Sequence, residues 1–120
     1  MFCRKRKKYL ICRKYLDMHL IEKNINVINE ICKKYRVRKL YVFGSILTDR
    51  FNEQSDVDFS VDFDRKTIAE EKLDWADLFF DFIHDLEITL KRNVDVVVDD
   101  YISNPVFRNE VDLTKQLIYG

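Results

Sequence analysis

Asp56 and Asp58 stand two residues apart in a stretch that alternates strictly between polar and apolar residues. In an extended strand, side chains two apart emerge on one face, with α-carbons roughly 6.5–7 Å apart. Two carboxylates so placed repel, and each resists ionising unless a cation sits between them. Magnesium suits such a pair, because it takes oxygen ligands and commonly binds through one or two carboxylates plus substrate phosphates. Asp95 lies in a second apolar run, Val94 to Val98, where a buried charge needs a partner or a metal. If that run pairs beside residues 56–62, Asp95 joins the same face and completes a three-carboxylate cluster.

The third component is Gly44-Ser45, which follows Leu40-Tyr41-Val42-Phe43 and precedes Asp56 by ten intervening residues. A strand that runs into a Gly-Ser turn and a helix start offers backbone N–H groups, a hydroxyl and the positive end of a helix dipole. Glycine lets the backbone approach a phosphate closely. Ser45 is expected to cap a short helix over residues 46–50. Gly-Ser alone is usually a turn, and Asp-x-Asp alone is as readily a solvated polar face. The specificity lies in the combination, and on these residues alone both readings stay open.

The elements that must position these groups follow from hydrophobic periodicity. Leu20, Ile21, Ile25, Ile28, Ile31, Cys32 and Tyr35 recur at helical spacing, predicting an amphipathic helix from about His19 to Tyr35. Leu40–Phe43 reads as a short buried strand. Residues 55–63 read as a half-buried strand, with Val57, Phe59, Val61 and Phe63 on one side and Asp56, Asp58, Ser60 and Asp62 on the other. A long helix is expected from Thr67 to Leu90, with Leu73, Phe79, Phe82, Leu86 and Leu90 as its stripe, broadened by Trp75, Leu78 and Ile83. Asn93–Val98 is a β-branched strand. Pro105 opens a last helix whose core contacts would be Val106, Phe107, Val111, Leu113 and Leu117. The order predicts an α/β (α+β) fold, one small mixed sheet flanked by helices.

The chain has 120 residues, 47% of them hydrophobic and 35% charged, with a formal net charge of zero. That is one domain with one real core. Residues 1–17 carry Arg4, Lys5, Arg6, Lys7, Lys8, Arg13 and Lys14 against Asp17 alone, and read as a basic N-terminal arm. Residues 18–120 form the domain proper, net acidic, so direct nucleic-acid binding is not expected. No apolar run approaches the length of a membrane span. The basic start lacks the apolar stretch of a signal peptide, so the chain is expected to be cytoplasmic. Cys3, Cys12 and Cys32 form no CxxC pair and read as reduced thiols.

Tyr41-Val42-Phe43-Gly44-Ser45, ten residues, then Asp56-Val57-Asp58 resembles the signature of the DNA polymerase β-like nucleotidyltransferase superfamily, and more narrowly the minimal nucleotidyltransferases (MNT proteins). The resemblance covers roughly residues 20–119, with Asp95 at the place of the family's third carboxylate. The ending Asn104-Pro105, Thr114-Lys115 and Ile118-Tyr119-Gly120 is similar to those of such small proteins. Many relatives carry Arg-Ala-Arg-Gly after the Gly-Ser, where this chain has Ile46-Leu47-Thr48-Asp49. The positive side chain is absent at Thr48, and Arg50 is the candidate substitute.

The resemblance implies transfer of AMP from ATP to a hydroxyl with release of pyrophosphate. Asp56 and Asp58 would hold two Mg²⁺ ions, Asp95 would serve as third ligand or general base, and Gly44 and Ser45 would cradle the β- and γ-phosphates. It also implies a HEPN-domain toxin as partner, one of whose tyrosines accepts the nucleotide, so that the chain acts as an antitoxin. Two alternatives remain: a catalytically degenerate antitoxin that neutralises by binding, and an aminoglycoside-type enzyme, which usually carries a further substrate domain. Donor base and homo- or hetero-oligomeric state are not readable. Arg13 and His19 match a HEPN spacing, which is best explained by chance, and His84 reads as a surface or packing residue. The cluster of Trp75, Phe79, Phe80 and Phe82 reads as mostly core, with part of it a candidate partner-facing patch, since not all four can face one sheet.

Overall fold

The computed structural model describes residues 20–47 and 55–120. The expectations placed on the basic arm, Cys3, Cys12, Arg13, His19, Thr48 and Arg50 lie outside the described residues.

Helix α1 spans Ile25–Lys34 and buries Ile28, Ile31 and Cys32 at the predicted spacing. Residues 20–23 are also helical, but a turn at Asn24 separates them from α1. The Asn24 side chain donates to the Leu20 carbonyl at 2.8 Å, so it competes for the backbone and divides the expected continuous helix. Arg36 then reverses the chain in the left-handed region, at φ 62°.

Strand β1 covers Val37–Phe43, three residues longer at its start than predicted. The charged pair Arg38-Lys39 hides that extension in the sequence, although Arg38 pairs across the sheet with Asp62 at 2.7 Å. A 3-10 turn, Gly44–Leu47, follows. Strand β2, Val57–Phe63, runs antiparallel to β1. The predicted long helix is two helices, α2 at Arg65–Glu70 and α3 at Trp75–Leu90. Lys72 breaks them at φ 54°, and Asp74 caps α3 by accepting from the Asp77 N–H at 3.1 Å. Capping by Asp offsets the cost of restarting the helix. Strand β3, Val94–Val98, lies parallel to β2. After a 3-10 turn at Asp99–Tyr101 comes α4, Pro105–Thr114, capped by Asn104.

Strand β4, Gln116–Tyr119, completes the sheet beside β1 in the order β3-β2-β1-β4. Sequence reading placed Leu117 in a helix packed on the core. It lies instead in this strand and is exposed, as are Val106 and Leu113 on α4, whereas Val111 is fully buried. The mixed sheet with flanking helices is as predicted.

The core sits between the sheet and α1 plus α3. Leu40, Val42, Val57, Phe59 and Val61 meet Phe82 and Leu86, all fully buried. Phe63 receives the edges of Trp75 at 5.0 Å and Phe82 at 5.5 Å, so most of the aromatic cluster is core. Phe80 is the exception, pointing to solvent. His84 is exposed, as expected. Cys32 is a free buried thiol, and burial pushes its pKa up to about 12, which makes it inert. Among the described residues no helix is long and apolar enough to cross a membrane.

Candidate active site

The opposite face of the sheet carries the polar half of the β2 alternation. Residues paired across neighbouring strands share a face, and here Phe43 on β1 pairs with Asp58, while Asp58 pairs with Asp95 on β3. One lateral row therefore reads Phe43, Asp58, Asp95. Asp56 stands just before β2, two residues from Asp58. The parallel register is the feature that brings together carboxylates 37 positions apart in the chain.

β1 delivers Gly44 directly beside this row. Gly44 adopts φ +80°, a conformation that side chains with a Cβ rarely take. A Cβ added there would collide with Asp58 Oδ2 and lie 3.2 Å from its Cγ. Glycine is thus required twice, by the turn and by the approach of the Asp58 carboxylate. Ile46, fully buried, anchors the turn that follows. A 3-10 segment begins at Gly44 itself and runs to Leu47, so Ser45 lies inside it rather than ahead of it, while residues 48–50 of the expected helix lie outside the described residues. A single 3-10 turn carries little macrodipole, so anion binding here would rest on individual backbone N–H groups.

Asp58 is half-buried, and its pKa is pushed up to about 6, chiefly by burial and then by the neighbouring charges of Asp95 and Asp56. Asp56 and Asp95 are exposed. For Asp95 this corrects the sequence reading, which placed it buried among valines. β3 is an edge strand, so its flanking valines cannot enclose it. As placed, Asp58 and Asp95 share a face, with Asp56 just before β2 and near enough for its charge to act on Asp58, and the three do not close into a cage. Among the described residues no group of three His, Cys, Asp or Glu side chains is arranged to hold a metal ion.

Further along the same face lies a network that sequence reading missed. Ser60 is fully buried and donates to Asp99 Oδ1 at 3.1 Å. Arg108 of α4 meets the same oxygen at 3.1 Å and also donates to the Asp99 carbonyl. Lys115 stands 3.6 Å from Asp99 and 4.3 Å over the Tyr41 ring. These contacts fasten α4 across the sheet next to the carboxylates, and Phe107 packs edge-on against Phe43 at 6.0 Å. The available signal was Ser60 itself, the one small polar residue between two aspartates on the polar side.

Comparison with known proteins gives the family of this sheet, with its glycine turn beside a row of carboxylates. The family described as "Polymerase beta, Nucleotidyltransferase" matches residues 26–120. The chain belongs to this family and is a nucleotidyltransferase. A Methanocaldococcus jannaschii protein named as a candidate protein adenylyltransferase is 29% identical over 105 residues, covering 81% of this chain and 98% of that protein. Among solved structures, a minimal nucleotidyltransferase superposes with TM-score 0.65 at 20% identity, over 82% of this chain and 93% of its own. A toxin–antitoxin complex with AMP-PNP gives TM-score 0.62 at 22% identity, over 81% and 73%. A third, the complex of a tri-AMPylated Shewanella oneidensis HEPN toxin with its MNT antitoxin, gives TM-score 0.56 at 22% identity, over 82% and 71%. At these identities the structures establish the shared fold. The family resemblance read from Gly44-Ser45 and Asp56-Val57-Asp58 is borne out.

Proposed function

We propose that this chain is a Mg²⁺-dependent protein adenylyltransferase that moves AMP from ATP to a tyrosine hydroxyl of a HEPN-domain partner, and so acts as an antitoxin. The observation that carries the reading is the meeting of Asp58 on β2 and Asp95 on β3 with Gly44, in the turn that follows β1. The M. jannaschii relative supports adenylyl transfer to protein, and the HEPN–MNT complexes support the partner class.

The donor set fits magnesium: oxygen ligands only, around a central carboxylate whose pKa is raised first by burial and then by repulsion from Asp95 and Asp56, both of which a cation would offset. Asp56 and Asp58 would hold the metal, with Asp95 as further ligand or base. When bound, magnesium supplies neutralisation of the charge that develops on the transferred phosphoryl group. The Gly44 and Ser45 N–H groups would bind the β- and γ-phosphates, beside the Asp58 carboxylate that the missing Cβ of Gly44 lets approach the turn. The acceptor hydroxyl oxygen would attack the α-phosphorus, its proton passing to Asp95. The bond to the bridging oxygen then breaks, and pyrophosphate leaves.

The test is to co-express the chain with its native HEPN partner, recover the complex and measure the partner's mass. An added nucleotide on a partner tyrosine is expected with wild type and not with Asp56→Asn. An unmodified but neutralised partner would instead identify an antitoxin that works by binding alone.

A further inference from the structure

Asp56 is the one proposed ligand outside regular structure, since it precedes the first residue of β2. An exposed carboxylate at such a place has no packing to fix its direction. The backbone on both sides of it is nevertheless tied. Before it, the Ser55 carbonyl accepts from Arg92 Nη2 at 3.0 Å. After it, the Val57 N–H donates to the Asn93 carbonyl at 3.0 Å. Arg92 and Asn93 are consecutive, and they lead into β3, where Asp95 sits two residues further on.

The junction that carries these two bonds is itself braced. Lys91 ends α3 in the left-handed region at φ 56°, turning the chain back toward the sheet. Glu87, one turn earlier on α3, accepts from the Val94 N–H at 3.1 Å. Arg92 is part-buried, and together with Asp56 it lines a hollow of about 630 Å³ between the end of α3 and the start of β2.

We propose that Arg92 is a positioning residue for the carboxylate row: with the Asn93 carbonyl it clamps the Ser55–Val57 backbone, so that Asp56 is presented to the same cation as Asp58 and Asp95. The inference rests on the metal-site reading above and adds a residue that touches neither substrate nor ion. Groups that orient a metal ligand from behind typically contribute 10- to 100-fold in metal affinity.

The role has a sign that distinguishes it from simple electrostatics. Arg92 is a cation beside a cation site, so removing its charge should by itself tighten divalent-ion binding. Loss of positioning should weaken it. Mn²⁺ alone is the probe, titrated into the full-length chain and followed by its electron paramagnetic resonance signal, with a thermal melt on each sample. Arg92→Gln is expected to lower Mn²⁺ affinity about tenfold or more. Arg92→Met, which keeps the buried stem but no donor, is expected to do the same and covers the case in which the Gln variant does not fold. Arg92→Lys retains one donor and should return affinity to within about threefold of wild type. Unchanged or tighter binding in the Gln or Met variant overturns the clamp, as does a Lys variant no better than these. Asp58→Asn is the control: if wild type binds Mn²⁺ no better than it does, the metal-site reading itself fails, and the clamp with it.

Discussion

On the side of the sheet toward α1 and α3, Val57, Phe59 and Val61 are fully buried in the apolar core. One residue along the same strand and on the opposite side, Asp58 is half-buried, and burial and then the charges of Asp95 and Asp56 push its pKa up to about 6. Both faces are written in one seven-residue stretch, VDFSVDF. The first face follows from burial of apolar area, which stabilises the fold by roughly 1.5–3 kcal/mol per side chain. The second costs stability, since like charges are gathered on a partly dry surface. A fold keeps such an arrangement where chemistry needs it, and on the proposed reading the glycine turn packed against Asp58 meets the phosphates.

The contrast can be broken from either side. Phe59→Ala empties the centre of the apolar face and is expected to destabilise the chain by about 3–5 kcal/mol in urea unfolding, the largest effect in the molecule. A loss below about 1 kcal/mol would mean the core lies elsewhere. Gly44→Ala acts on the other face. The φ of +80° and the Asp58 carboxylate both oppose a Cβ, so about 2–3 kcal/mol of stability should go. Nucleotide transfer should fall roughly 100-fold, as expected when reacting groups are displaced by about an ångström. Wild-type transfer by this variant would show that the turn does not approach the substrate.

Asp58→Asn sharpens the comparison because its stability effect has the opposite sign. The carboxyl ionises near 3.8 ordinarily and near 6 in the folded chain. The stability it contributes as a neutral group is fully present below the lower value and lost as pH rises through the upper one. Without metal, the Asn variant should therefore match wild type near pH 4 and exceed it by about 1–2 kcal/mol at pH 7.5, allowing for solvent screening at a partly exposed site. Urea midpoints at the two pH values measure this, and a variant less stable than wild type at pH 7.5 contradicts it.

The sequence exposed strand β2 almost residue for residue, because strict alternation between fully apolar and polar side chains has no helical counterpart. It exposed Asp56 and Asp58 for the same reason. What it concealed were features that depend on neighbours. The break at Lys72 uses neither glycine nor proline, and only the Asp74 cap hints at a restart. β4 is a four-residue edge strand with an exposed leucine, and its identity comes from pairing with β1. Asp95 looked buried because four valines surround it in sequence, yet burial at a sheet edge is decided by what lies beyond the strand. Ser60, Asp99 and Arg108 converge only once α4 crosses the sheet.

The most direct test of the central claim is transfer of label from α-labelled ATP, with Mg²⁺, to the co-purified HEPN partner by wild type and by the single variants Asp56→Asn and Asp58→Asn. The account predicts partner labelling by wild type, lost at least 1,000-fold in each variant, on the order expected when transition-state charge stabilisation is removed. Labelling that survives both substitutions would contradict it.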